Sequence, residues 1–472
     1  MKNRLIMLIV LTAMVGAACS TGLVAESADV KPGAIVIDRT DRPEQPTRPA
    51  EGENARPYLE TVDLSIADIQ DFWSNQMPKA FGQEFQKIPS SKIFAYNSST
   101  PPPACGTGEQ PSYEALAGNA FYCSEDQFIA FDDENLFPQL YEKFGSYAVA
   151  MVLAHEWGHA VQDQLGMADG SVPTVYLEQQ SDCFAGAWTK WVDDGKSDNL
   201  SLSEGSLDAA LGGMLAFRDE PGTRPEDPAA HGSGFDRVRA FRDGFTSGVE
   251  ACADYGTNPP ELTQLPFRTE GEYRSGGNLD YGQLIELLVP DFDLWMKREF
   301  PSFEALSTAV GFDPSAGDVS CGGTTLSGAD ATGKIFYCAS DNSIRWDEPW
   351  LAGINDESGD FATGLLLGMQ YGVALQSQTG MSDDDIGSED SIKQRACLVG
   401  AYSGSLIDEL TNPTEGRDLS ISGGDLDEAL ASLISFTAPD HVDESGSSLA
   451  FDRIEAFQNG VLDGVSSCGI GG

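Results

Sequence analysis

Histidine is nearly missing from this chain: 472 residues contain four, His155, His159, His231 and His441. Basic residues are also scarce, 28 against 74 acidic, for a formal net charge of −46. Such a surface repels nucleic acid and anionic lipid, which argues against a DNA-, RNA- or polybasic membrane-binding role. It reads as a well-solvated acidic exterior. None of the nine cysteines stands in a CxxC pair, which argues against a zinc–thiolate site. The apolar run Leu5 to Ala18 is too short for a membrane span. The hydrophobic share, 41%, is enough for sizeable cores, and the length points to two domains.

The N-terminus has the layout of an export signal. Lys2 and Arg4 precede the apolar run, and Gly16, Ala17 and Ala18 precede Cys19. This resembles a bacterial lipoprotein signal, in which cleavage leaves a lipidated N-terminal Cys19; Gly16 departs from it, standing where leucine is usual. Cleavage after Ala25 is the alternative. The expected segments are a signal peptide over 1–18 and a flexible stalk over 19–58, rich in Pro, Glu, Arg and Thr. The chain is then exported and anchored to the membrane at the cell surface through its lipid, or else secreted.

Beyond the stalk the sequence is written twice. CGTGEQPSYEALAGNAFYC, from Cys105, is matched by CGGTTLSGADATGKIFYC, from Cys321. MVLAHEWGHAVQDQLGM, from Met151, is matched by LLLGMQYGVALQSQTGM, from Leu365. SDCFAGAW faces RACLVGAY, and FDRVRAFRDGFTSGVEAC faces FDRIEAFQNGVLDGVSSC. Four blocks in one order at near-constant spacing indicate a tandem duplication. The expected domains are 59–256 and 279–472, joined by a linker over 257–278. With Cys19 lipidated, eight cysteines remain, four per copy. Pairing within copies gives Cys105–Cys123, Cys183–Cys252, Cys321–Cys338 and Cys397–Cys468, with other connectivities open; an oxidising compartment favours such bridges.

Periodicity predicts helices over 146–165, 176–193 and 235–249, and a short strand at Phe128 to Phe131. The fold class is mainly α, an α+β fold with minor strands.

His155, Glu156 and His159 spell HExxH on the first of these helices. Residues four apart share a face, so both imidazoles reach one ion, here Zn2+. Glu156 overlooks the open coordination position and can take a proton from metal-activated water. A catalytic zinc needs a third ligand. Glu178 and Asp182, four apart on the next helix, are the candidates. Glu178 is the expected ligand and Asp182 the group that orients a ligating histidine; swapped roles remain open.

HEWGHAVQ followed by EQQSDCFAGAW, with FYC upstream and HGSGFDRVRAFRDGF downstream, resembles the neutral zinc metallopeptidases of bacteria, a zincin-like family. The resemblance covers 63–252. It implies His155, His159 and Glu178 as ligands, Glu156 as base, Asp182 in support, and a zincin-like fold for each tandem domain. His231, in HGSG, belongs to a motif of that family and is suited to stabilising an oxyanion, or is an exposed turn residue. His441 sits in the corresponding region of the second copy at a shifted position and carries no assigned role.

In the second copy every proposed metal or acid–base residue is replaced: Met369, Gln370, Val373, Ile392 and Ala396 stand for His155, Glu156, His159, Glu178 and Asp182. The acidic run SDDDIGSED, from Ser382, reads as a solvated loop or a calcium site. The expectation is an exported zinc peptidase hydrolysing peptide bonds of a protein or peptide substrate, with an inactive second domain. The alternatives are a non-catalytic surface binding or scaffold protein with a structural zinc, and a hydrolase of non-peptide amides or esters.

Overall fold

A computed structural model of the chain describes residues 35–37, 56–167, 172–203, 205–255, 257–321, 324–413, 417–436 and 449–470. The signal peptide, Cys19 and His441 lie outside them. The first half runs α1 (Leu59–Phe81), β1 (Ile93–Tyr96), β2 (Ala120–Cys123), β3 (Phe128–Asp132), α2 (Leu136–Phe144), α3 (Ser146–Gln164), α4 (Thr174–Asp193), α5 (Ser206–Ala216) and α6 (Gly234–Ser247). The second half repeats that order: α7 (Tyr281–Glu299), β4 (Thr308–Phe312), β5 (Ile335–Cys338), β6 (Ser343–Asp347), α8 (Glu348–Ser358), α9 (Asp360–Gln378), α10 (Glu389–Glu409), α11 (Asp425–Phe436) and α12 (Leu449–Asp463). The fold is mainly helical with small sheets, as the periodicity predicts.

Each half has one three-stranded sheet of the same topology. β1 is parallel to the central β3, and β2 is antiparallel to it. β4, β6 and β5 repeat this arrangement. β2 and β5 are therefore outer strands. The disulfides pair as the repeat predicts: Cys105–Cys123, Cys183–Cys252, Cys321–Cys338 and Cys397–Cys468.

Glycines bring α4 and α6 into backbone contact. A Cβ on Gly244 would lie 1.8 Å from the Cys183 carbonyl oxygen, and one on Gly186 would lie 1.9 Å from that of Phe241. No real Cβ approaches so closely, so any side chain at either position separates the helices. The same interlock recurs between α10 and α12, through Gly460 against Cys397 and Gly400 against Phe457. This seam fixes α4, which carries Glu178 and Asp182, against α6.

The described residues fall in one compact unit. The halves meet through buried polar contacts. Gln458 donates to the Phe235 carbonyl (2.9 Å) and accepts from Arg242 (2.5 Å).

Three segments differ from the sequence-based expectation. Within the expected stalk, Ile35–Ile37 pairs antiparallel with Leu200–Leu202, as its β-branched residues favour. The expected linker contains the short helix Glu270–Ser275, and its Thr263 donates to Asp236 of α6. The acidic run is not a loop. Asp383–Ile386 is a helical turn and Glu389 opens α10, with Ser382 and Ser388 as caps. Acidic side chains favour such helix starts because they face the positive end of the peptide dipoles.

Candidate metal centre

α3 and α4 cross so that three donor groups converge. His155 Nε2 lies 3.1 Å from His159 Nε2, 3.2 Å from Glu178 Oε2, and His159 Nε2 is 3.4 Å from Glu178 Oε1. Ligands about 2.0–2.1 Å from one ion at tetrahedral angles stand roughly 3.3 Å apart, so the spacing suits zinc. Close packing at Gly158 brings the helices together: a Cβ there would meet Ser181 Oγ at 2.2 Å. Ser181 Oγ in turn donates to the His155 carbonyl.

The hydrogen bonds at Nδ1 leave both Nε2 atoms facing the inside of the site. His155 Nδ1 donates to Asp182 Oδ1 at 2.7 Å, and His159 Nδ1 donates to Gln162 Oε1 at 2.9 Å. Both Nε2 atoms then face each other and the Glu178 carboxylate, a pocket that favours positive charge, whether a metal ion or a proton. Acceptors gathered in this way call for a cation. The electrostatics agree. Burial opposes charge on His155, yet Asp182 and Glu178 push its pKa up to about 10. Burial would raise Glu178, but His159 and His155 hold it well below the usual carboxylate range. Mixed nitrogen and oxygen donors fit zinc. Among the described residues one other group of possible ligands converges, Asp360, Asp425 and Glu428 in the second half, with oxygen donors alone.

Two residues that sequence reasoning did not single out hold the ligands. Arg237 on α6 grips Asp182 through Nε (2.8 Å) and Nη2 (2.9 Å), and donates to the Phe217 carbonyl (2.7 Å). Burial alone would raise the Asp182 carboxyl, but Arg237 and His155 hold it low. Gln162 is fixed through its Nε2 by the Leu177 carbonyl (2.6 Å) and Gln180 (3.0 Å). The signal was available: the matching blocks of the second half carry the same residue types, as Arg453 and Gln376.

Glu156 is buried beside the donors and accepts from the Tyr122 backbone on β2; burial raises its pKa, and His155 and His159 oppose this. His155, Glu156, His159 and Glu178 all face a cleft of about 470 Å³, walled also by Tyr122 and His231. His231 is largely exposed, with its backbone N–H held by Asp219 and Nδ1 3.6 Å from that carboxylate.

Among the described residues of the second half no histidine–carboxylate centre forms. Its frame keeps the same contacts: Gln376 donates to the Ser391 carbonyl (3.0 Å) and to Gln394 (3.2 Å), as Gln162 does to Leu177 and Gln180. Arg453, lacking an aspartate at Ala396, pairs with Glu389 instead, at 2.7 and 2.6 Å.

The chain is similar to known proteins. An uncharacterised protein of Escherichia coli K12, YpfJ, is 28% identical over 218 residues, 41% of this chain and 70% of its own. An uncharacterised Mycobacterium tuberculosis protein, Rv2575, is 30% identical over 173 residues, 32% of this chain and 58% of its own. No solved structure matches. The family model described as "Putative neutral zinc metallopeptidase" matches residues 4–255, more than half of the chain, and the chain belongs to that family.

Proposed function

We propose that the chain is a zinc-dependent peptidase whose first half is active and whose second half is a degenerate copy. The observation that carries this reading is the placement of Glu156, a buried carboxylate at the cleft beside three converging ligands. Among the described residues three ligands come together, which leaves the fourth position of a tetrahedral ion to water or substrate, the pattern of catalytic and not structural zinc. Bound zinc supplies Lewis-acid polarisation of a carbonyl and acidifies water.

The chain's own residues do the rest. Asp182 and Gln162 hold the two imidazoles by their Nδ1 protons. Glu156 receives a proton on its carboxylate from the attacking water and delivers it to the leaving amine. His231, on the cleft wall, is the candidate donor to the oxyanion. A peptide substrate is favoured because β2, an outer strand, lines the cleft, and an edge strand is a template for an extended chain.

The second half supports inactivity: Met369, Val373 and Ile392 offer no zinc donor of the required kind, and Ala396 offers no carboxylate. The shared order of the main helices and of the three-stranded sheets supports a tandem duplication. Four disulfides fit an exported protein, and lipidation at Cys19 would tether it. Among the described residues no helix is long and apolar enough to cross a membrane.

The test is metal removal with an unfolded protein as substrate. Chelation abolishes cleavage and stoichiometric zinc restores it; cleavage that survives complete removal of metal would refute the reading.

A further inference from the structure

We propose that Asp427, carried by the second half, is a positioning residue for the metal centre of the first half. The proposal rests on the reading that His155, His159 and Glu178 hold zinc, and not on peptidase activity.

Asp427 is buried and reaches across to the first turn of α6. Its Oδ2 accepts from the Gly234 N–H at 3.0 Å and its Oδ1 from the Phe235 N–H at 2.8 Å. These are amides that a helix cannot satisfy within itself, at its positive end. Arg218 completes the carboxylate's partners at 3.2 Å. The approach requires glycine: a Cβ on Gly234 would meet Leu215 at 2.4 Å and Asp427 Cγ at 3.1 Å. Gln458, also from the second half, holds the Phe235 carbonyl at 2.9 Å. The start of α6 is thus gripped by both its N–H and its C=O groups.

Two residues further along α6 stands Arg237, which clamps Asp182, which orients His155. Three contacts therefore connect a residue of the degenerate half to a zinc ligand. A shift of the α6 start moves the guanidinium and releases the Asp182 carboxylate from its fork, and with it the ring whose Nε2 must point at the ion.

The contact has a mate. Asp208 on α5 accepts from the Phe451 N–H on α12 at 3.1 Å. Phe451 occupies in the second copy the place of Phe235 in the first. Each half thus caps the other's last long helix, the reciprocity of an isologous dimer interface. The second half stands where a second subunit would stand, and only one of its two reciprocal caps leads to a metal ligand. On the other side the corresponding arginine, Arg453, ends on Glu389.

This asymmetry gives a matched test on the full chain. Zinc affinity is measured by competition with a chromophoric chelator for wild type, D427A, D427N, D208A and D182N, each checked for a wild-type circular dichroism spectrum. D427A is expected to bind zinc roughly tenfold more weakly, at the low end of the effect of removing an outer partner of a metal ligand. D208A, which breaks the mirror contact, is expected to keep wild-type affinity. D427A added to D182N should cost little further, because the connection is already cut. D427N keeps the shape and one acceptor oxygen and carries the comparison if D427A does not fold. Wild-type affinity in folded D427A or D427N, or an equal loss in D208A, would overturn the proposal. Affinity is read without substrate, so a chain that binds zinc and cleaves nothing removes the peptidase reading alone.

Discussion

Gln370 Oε1 accepts the Tyr337 backbone N–H at 3.0 Å, the counterpart of the contact that Glu156 makes with the Tyr122 backbone. The helix and the outer strand of each half are tied by the same bond, once to a carboxylate and once to an amide. The second half retains the acceptor and drops the charge. Replacing Glu156 by glutamine is therefore a change this fold already carries at the equivalent place.

Asp182 is the most consequential outer partner. Asp182→Asn is expected to weaken zinc binding about 10- to 100-fold. It also removes the countercharge of buried Arg237, and breaking such a pair costs roughly 3 kcal/mol or more. Competition titration reads the first effect and urea unfolding the second. Unchanged values in both would mean that the Arg237–Asp182–His155 chain has no energetic content.

The second half carries a pH-dependent element. Burial pushes Glu428 up to about 8, reinforced by Asp360, and burial pushes Asp360 up to about 6; burial and Asp360 also raise Asp425 well above the usual carboxylate range. Carboxyls whose pKa rises on folding hold protons that the unfolded chain has released. Their contribution is thus fully present near pH 4 and is lost as pH rises through 6 and 8. Glu428→Gln is expected to raise the melting temperature by a few degrees at pH 8 and to have no effect near pH 4. A gain confined to low pH would contradict the assignment.

The Cys183–Cys252 bridge closes 69 residues and ties α4 to the chain following α6, whereas Cys105–Cys123 closes 18. Loop entropy assigns about 4 kcal/mol to the first and about 3 kcal/mol to the second. Replacing Cys183 and Cys252 by serine is expected to lower stability more and, because α4 bears Glu178, also to weaken zinc binding. Denaturant unfolding with and without zinc separates the two effects.

Much of the candidate site was legible from spacing together with the family resemblance. HExxH puts two imidazoles on one face of α3, and Glu178 and Asp182, four apart, share a face of α4. The disulfides were legible because the repeat restricts them. What the sequence concealed were contacts between distant segments. Arg237 sits 55 residues from Asp182, and Asp427 lies 193 from Gly234; no local period links such pairs. The strand Ile35–Ile37 was hidden among residues whose composition suggests a solvated tether, since three apolar residues are too few to show alternation.

The central claim is that Glu156 performs proton transfer at a zinc held by His155, His159 and Glu178. The most direct measurement compares cleavage of an unfolded protein by wild type and Glu156→Gln at equal bound zinc. The account predicts that the variant folds, keeps its zinc and is slower by about 10²–10⁴. Equal rates at equal zinc would contradict it.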